Sequence, residues 1–249
     1  MPRSQRLLES NICHHITVRC NNREFNLVRH QCRDLMLNAI HQAKAKFPFY
    51  LYALCIMSNH VHYLIKPDDP AQLPRIMHYI NWYSAMCFNR LLKRSGHFWE
   101  GRYRSTSFPD HEQQRALNTL RYIHANPKTA GMRKGYFYAY SNYGIYDRLT
   151  DDGLTEWHPV FPSMGQSLDA CQKRYQRFCQ RYSPKKKARR VCVWGSQLFP
   201  LGLLKNSRQV LPGQTDLFVE NGYQVTKPGH PHFCMELVRR AAAFTTANA

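Results

Sequence analysis

Hydrophobic and polar positions alternate along several short stretches of this chain, and apolar residues recur at helical spacing between them. The alternation predicts a first strand over residues 12–19. Apolar residues three and four apart then predict an amphipathic helix over residues 32–47, which ends at Pro48. Two apolar runs joined by a tight polar connection predict a hairpin of two strands over residues 49–66.

The same kinds of pattern continue to about residue 130. An apolar stripe predicts a second long helix over residues 73–91, and a loose alternation predicts a strand over residues 97–108. A third helix is predicted from an N-cap at Asp110 to Ala125, because Pro127 disfavours helical geometry at the residue before it. This order of elements predicts an α+β, ferredoxin-like fold of the split βαβ type, with an antiparallel sheet and helices on one face.

The rest of the chain has weaker patterns. We expect one domain over residues 1–150, a helical extension over residues 151–184, and a basic linker with a C-terminal tail over residues 185–249. No internal repeat is present in the sequence.

The composition indicates a partner of opposite charge. The chain has 249 residues with 35 Lys+Arg against 16 Asp+Glu, a formal net charge of +19. Such a surplus is typical of proteins that bind nucleic acid, and the 15 Tyr, 13 Phe and 4 Trp residues offer rings on which bases can stack. Nine cysteines without a C-x-x-C pair, no apolar leader and no long apolar run indicate a cytoplasmic protein with no membrane partner.

Two histidines separated by one residue stand inside the predicted strand that begins at residue 60. Side chains of a strand alternate between faces, so His60 and His62 point the same way. Two imidazoles on one face form half of a site for a first-row divalent ion. Without further evidence, the alternative is that the two histidines are structural residues or share a face by accident.

A tyrosine and an asparagine stand off the buried stripe of the third helix. Tyr122 and Asn126 are four residues apart and are therefore neighbours on one face. Beside a metal site, the Tyr122 hydroxyl is a candidate nucleophile, and the Asn126 amide oxygen is a candidate third ligand. Taken alone, Tyr122 is better explained as a rim residue. His14 and His15 are interpreted as packing residues, and His124 points elsewhere on the helix.

Three segments resemble the single-tyrosine HUH transposases, and among them the REP-associated tyrosine transposases. The segments are SNHVHYL at 58–64, GHFWEGRY at 96–103 and RYIHANPKTAG at 121–131, and the similarity covers roughly residues 1–150. The resemblance implies an HUH endonuclease fold with Mg²⁺ or Mn²⁺ on His60, His62 and Asn126, and with Tyr122 as the nucleophile. It also implies cleavage of single-stranded DNA with hairpin or palindromic ends through a 5′-phosphotyrosine, in a prokaryotic cell at the nucleoid. A homodimer is left open.

Basic and aromatic residues suggest where DNA is held. Arg102 and Arg104 are interleaved with Trp99 and Tyr103, a combination suited to phosphates and bases, although a solvated strand face is the alternative. A second basic group is either a backbone-binding cluster or a solvated linker, and comprises Lys185, Lys186, Lys187, Arg189 and Arg190.

Other functions share parts of this pattern. A domesticated relative that processes repeat hairpins would have the same residues, and flanking DNA rather than the chain would distinguish it. A non-catalytic hairpin-binding protein would not need the intact set of site residues. Relaxases and replication initiators often use paired tyrosines, whereas only Tyr122 occupies the helix position here.

Overall fold

The structure, a computed structural model, describes residues 9–183, 191–194 and 197–200. Residues 9–182 belong to one compact unit. Its helices and strands are β1 (Ile12–Arg19), α1 (His30–Lys46), β2 (Phe49–Ile56), β3 (His60–Pro67), α2 (Leu73–Leu91), β4 (Arg104–Pro109), α3 (Gln113–Thr129), α4 (Tyr143–Arg148) and α5 (Leu168–Gln180). Within the second unit, β5 (Val191–Trp194) and β6 (Gln197–Pro200) pair antiparallel.

The four strands β1 to β4 form one antiparallel sheet in the order β2-β3-β1-β4. This is the strand order of a split βαβ arrangement, so the predicted ferredoxin-like class is confirmed. In the β1–β3 pair, Thr17 lies opposite His62 and Arg19 opposite His60. Directly opposed residues share a face, so β1 contributes side chains to the face that carries the two histidines.

The sheet is covered on both faces, whereas the sequence pattern predicts helices on one. On the histidine face, the ring of His62 contacts that of Tyr122 from α3. On the other face, Val61, Tyr63 and Ile65 are fully buried in the main hydrophobic core. The burial pattern of β3 follows from this double cover and from its central place in the sheet, because six of its eight residues are buried although the histidine face carries His60, His62 and Lys66.

The strand predicted over residues 97–108 begins only at Arg104. Gly96 and Gly101 have positive φ angles of 87° and 53°, so the chain turns twice before the strand. Between these turns, Phe98 and Trp99 are buried in the core beside Phe88. The apparent alternation of this segment therefore comes from a loop that packs against α2.

The third helix also differs from its predicted bounds. It begins at Gln113, and Asp110 forms an ion pair with Lys66 instead of an N-cap. It continues through Pro127 to Thr129. Proline has no N–H to donate to the carbonyl of Ile123, but the Asn126 side-chain nitrogen lies 3.3 Å from that oxygen and 2.9 Å from the Tyr122 carbonyl oxygen. The asparagine amide thus replaces the missing donor.

Residues that follow α3 in the chain hold this helix in place through buried hydrogen bonds. His124 is fully buried, with Nδ1 at 2.8 Å from the Tyr175 hydroxyl of α5 and Nε2 at 2.9 Å from Asn142 Oδ1. Burial lowers the pKa of His124 to about 4. The ring is therefore neutral at physiological pH, which suits a bridge between two uncharged partners.

Among the helices of the described residues, none combines the length and the apolar character required to cross a membrane. The seven cysteines within residues 9–183 are free thiols, and all are buried.

Candidate active site

Four side chains from three elements meet on the histidine face of the sheet. The ring centroids of His60 and His62, both on β3, are 4.8 Å apart, and those of His62 and Tyr122 are 5.8 Å apart. His15 of β1 joins them, with its centroid 5.4 Å from His62 and 5.6 Å from Tyr122. The structure therefore brings the predicted histidine pair and the predicted nucleophile into contact.

One nitrogen of His62 is held while the other has no partner. His62 is 4% exposed, and its Nδ1 lies 3.1 Å from His15 Nε2 and 3.2 Å from Thr17 Oγ1. Its Nε2 is buried and has no hydrogen-bond partner among the described residues. Burial, with smaller effects from His60, His15 and Arg19, lowers the pKa of His62 well below its usual value. A neutral imidazole with an unpartnered nitrogen is the form that binds a metal ion.

His60 and Asn126 complete the predicted ligand set. Nδ1 of His60 lies 2.7 Å from Oδ1 of Asn59, which orients the ring. The Asn126 amide nitrogen donates to the backbone of α3, so its Oδ1 faces away from that backbone. No cluster of three or more His, Cys, Asp and Glu side chains arranged for a metal occurs in the described part of the chain. Here the third candidate ligand is an amide oxygen, and two imidazoles with an amide oxygen form a donor set for a first-row divalent ion.

Tyr122 lies at the boundary between this cluster and solvent. It is 44% exposed, and burial of the remainder raises the pKa of its phenol above the usual value. A cavity of about 710 Å³ opens beside it. The cavity is lined by His15, Glu112, Gln113, Gln114, Arg115, Asn118, Thr119 and Tyr122. The hydroxyl group is thus accessible to a ligand held against a mostly polar wall.

His15 is the residue of this cluster that the sequence did not reveal. Its strand reads as a simple alternation, and a histidine in such a strand is most simply explained by packing. Its position becomes visible only through the pairing of β1 with β3, in which Thr17 faces His62 and His15 follows two residues away on the same face. Burial lowers the pKa of His15 to about 4, so this ring is also neutral.

The residues predicted to contact DNA differ in their exposure. Arg102 and Arg104 are exposed, and Tyr103 is half-buried. Trp99 is 7% exposed, and its indole nitrogen donates to Asn81 O and Ser84 Oγ, each at 3.1 Å. The ring of Trp99 is thus packed in the core, which does not favour stacking on bases, and its contact with DNA stays a prediction. The predicted basic group lies outside the described residues, and comprises Lys185, Lys186, Lys187, Arg189 and Arg190.

Comparison with known families accounts for this arrangement. Residues 9–126 match the family model described as "Transposase IS200 like". Over these residues the chain is similar to the IS200-like transposases. The matched region runs from just before β1 to Asn126 and includes His60, His62, Tyr122 and Asn126, whereas α4 and α5 lie beyond it.

A solved structure has the same fold. It is described as the REP-associated tyrosine transposase bound to a REP hairpin, and it matches with a TM-score of 0.50 and 21% sequence identity. The match covers 63% of this chain and 89% of the other chain. No curated protein matches the chain. The family match and this likeness together confirm the predicted family and fold.

Proposed function

We propose that this chain is a divalent-metal-dependent endonuclease that cleaves and rejoins single-stranded DNA beside a hairpin through a covalent bond to Tyr122. The observation that carries the proposal is the contact between Tyr122 and His62, whose buried Nε2 has no partner. A non-catalytic DNA-binding protein has no need for this juxtaposition. The hairpin is proposed because the similar solved structure holds a REP hairpin. The setting we propose is the nucleoid of a prokaryotic cell.

Tyr122 supplies the attacking oxygen in this proposal. Its hydroxyl oxygen attacks the phosphorus of a phosphodiester held in the adjacent cavity and gives up its proton to solvent. The bond between phosphorus and the 3′ oxygen breaks, and that oxygen takes up a proton and leaves as a free 3′-OH. The 5′ phosphate stays bonded to Tyr122. Because the energy of the broken phosphodiester is conserved in this bond, a later attack by a 3′-OH rejoins the strands without ATP.

His60, His62 and Asn126 are the residues that would hold Mg²⁺ or Mn²⁺. When bound, the ion polarises the scissile phosphate and offsets charge on its oxygens. The chain itself orients the ring of His62, because His15 and Thr17 of β1 hold its Nδ1. The phenol of Tyr122 carries its proton at neutral pH, and burial raises its pKa further above the ordinary value near 10, so its attack on phosphorus depends on a polarised phosphate.

The surface beside the site suits a polyanion. The cavity wall has four amide or hydroxyl side chains, namely Gln113, Gln114, Asn118 and Thr119, and the exposed ion pair of Arg115 with Glu112 at 3.5 Å. Arg102 and Arg104 stand exposed before and at the start of β4. We propose that these arginines and Tyr103 contact the DNA backbone, and that the cluster of basic residues over 185–190 adds to this grip.

The proposal is tested with the full chain and a hairpin oligonucleotide that has single-stranded flanks. With Mn²⁺ present, we expect a protein–DNA adduct that survives denaturation, and mass spectrometry should locate it on the peptide that contains Tyr122. EDTA should prevent the adduct. Absence of any adduct across several hairpins and both metals, or an adduct on another residue, would refute the proposal.

The two partners of His62 on β1 give a separate prediction. The double substitution His15→Phe and Thr17→Val removes both groups that hold Nδ1 of His62. Loss of such outer partners weakens metal affinity by roughly 10- to 100-fold, and we expect a loss in that range for Mn²⁺ by isothermal titration. Thr150→Val, in the loop that follows α4, is the control and should leave the affinity unchanged. Unaltered affinity in the double variant would show that these contacts do not orient the ligand.

A further inference from the structure

A second cavity lies away from the candidate active site, between α2 and the loop that precedes β4. Its volume is about 510 Å³, which is enough for a nucleobase and its sugar. Its lining includes His78, Asn81, Trp82, His97, Trp99 and Arg102. It thus combines aromatic rings with one side-chain amide, two imidazoles and one guanidinium.

An exposed indole forms one side of this cavity. Trp82 is 52% exposed, although tryptophan is usually well buried in folded proteins. Its ring is supported by Tyr79 and Tyr83, with centroids at 5.9 and 6.4 Å. The opposite wall is rigid, because the Trp99 indole is tied to α2 by its hydrogen bonds. A fixed, half-exposed aromatic ring beside a slot is the arrangement on which unpaired bases stack.

One of the residues that line the cavity carries an unsatisfied polar atom. The Asn81 side-chain oxygen is buried and has no hydrogen-bond partner among the described residues. A buried acceptor without a donor costs free energy, so such atoms are rare in folded proteins. Every nucleobase has an N–H or amino group that could donate to this oxygen once the Asn81 side chain turns toward the cavity. Asn81 thus adds an acceptor for the edge of a base to the stacking surface of Trp82.

The charge around the cavity favours a phosphate. Residues 70–104 contain one acidic residue, the exposed Glu100, against six basic ones, namely Arg75, Arg90, Lys93, Arg94, Arg102 and Arg104. Arg94 pairs with Glu24, whereas Arg102 at the cavity forms no ion pair with any residue that the structure describes. An exposed, uncompensated guanidinium beside an aromatic slot is suited to the phosphate of a stacked nucleotide.

The loop that bounds the cavity is joined to the strand next to His60. Glu100 N donates to Arg19 O at 2.7 Å, and Asn21 N donates to Phe98 O at 2.8 Å. Arg19 is in turn the partner of His60 in the sheet. Two strand spacings therefore separate the loop from His60, a lateral distance of about 10 Å. A strand that enters the candidate active site is long enough to reach the cavity.

We propose that this cavity binds an unpaired base of the same DNA strand that Tyr122 cleaves. Trp82 stacks on the base, the Asn81 side chain accepts a hydrogen bond from its edge, and Arg102 contacts the adjoining phosphate. The inference rests on the proposed nuclease function and adds a second recognition point to it.

The test compares Trp82→Ala and Trp82→Phe with the native chain, using a hairpin oligonucleotide with single-stranded flanks and fluorescence anisotropy without metal. Loss of one base stack weakens binding by roughly 5- to 150-fold, and we expect Trp82→Ala to fall in that range and Trp82→Phe to retain most of the affinity. Tyr50→Ala, which removes an aromatic ring of similar exposure on β2 outside the cavity, should bind as the native chain does.

A scan of abasic positions along the flanks identifies the base concerned. The native chain should lose affinity at one position, and Trp82→Ala should show no further loss there. The proposal would be overturned if Trp82→Ala bound the oligonucleotide as tightly as the native chain does. It would also be overturned if the substitution reduced only the self-association of the protein. Absence of the Tyr122 adduct in the native chain would refute the nuclease function, whereas the binding measurements on the Trp82 variants test the cavity separately, because they are made without metal and without cleavage.

Discussion

Replacing Tyr122 with Phe should abolish strand cleavage and the covalent protein–DNA adduct while hairpin binding stays close to that of the native chain. Phenylalanine keeps the ring that contacts His15 and His62 and removes only the nucleophilic oxygen. Loss of a nucleophile costs on the order of 10⁴-fold or more in rate. The measurement is a denaturing gel for the adduct, with anisotropy on the same oligonucleotide for binding.

Tyr50→Phe is the matched control, because Tyr50 is 45% exposed, close to the 44% of Tyr122, and lies on β2 away from the candidate site. It should cleave as the native chain does. If Tyr122→Phe still forms an adduct that survives denaturation, another residue is the nucleophile and the proposed site is wrong.

Removing both strand histidines should abolish the binding of Mn²⁺ and, with it, cleavage. His60→Ala and His62→Ala together delete two of the three candidate ligands, and one neutral amide oxygen does not retain a divalent ion. Each single substitution should also suppress metal-dependent cleavage. Asn126→Ala should be milder in metal affinity, since it removes a single neutral oxygen. Isothermal titration with Mn²⁺ measures all four variants.

His111→Ala controls for the loss of any histidine, because His111 is exposed in the turn before α3. Its affinity for Mn²⁺ should equal that of the native chain. Native affinity in the double variant would remove the basis for the metal assignment, whatever the effect on cleavage.

The parts of the fold and site that could be predicted are those that depend on local spacing. The two-residue period of a strand places His60 and His62 on one face of β3, and the helical period places Tyr122 and Asn126 on one face of α3. Packing of this helix on this strand is then enough to bring Tyr122 to the histidines. His15 could not be placed in the same way, because its role depends on the register between β1 and β3, which are distant in sequence.

Two departures from the sequence pattern have the same origin in side-chain hydrogen bonds. Pro127 correctly indicates a missing backbone donor, but the Asn126 side chain supplies one, and the helix continues. Trp99 was predicted to contact DNA because it stands among arginines, yet two hydrogen bonds from its indole to α2 hold it in the core. In each case a side-chain hydrogen bond, which no local pattern reports, decided the outcome.

The buried bridge from His124 to Tyr175 and Asn142 has a consequence for strand exchange. To carry Tyr122 away from the histidines, α3 would have to break both hydrogen bonds inside the core. The same chain thus supplies Tyr122 and the histidines, and Tyr122 keeps one position throughout the proposed reaction. Cleavage and rejoining then occur at one site, so the DNA ends, rather than the tyrosine, must exchange positions between the two steps.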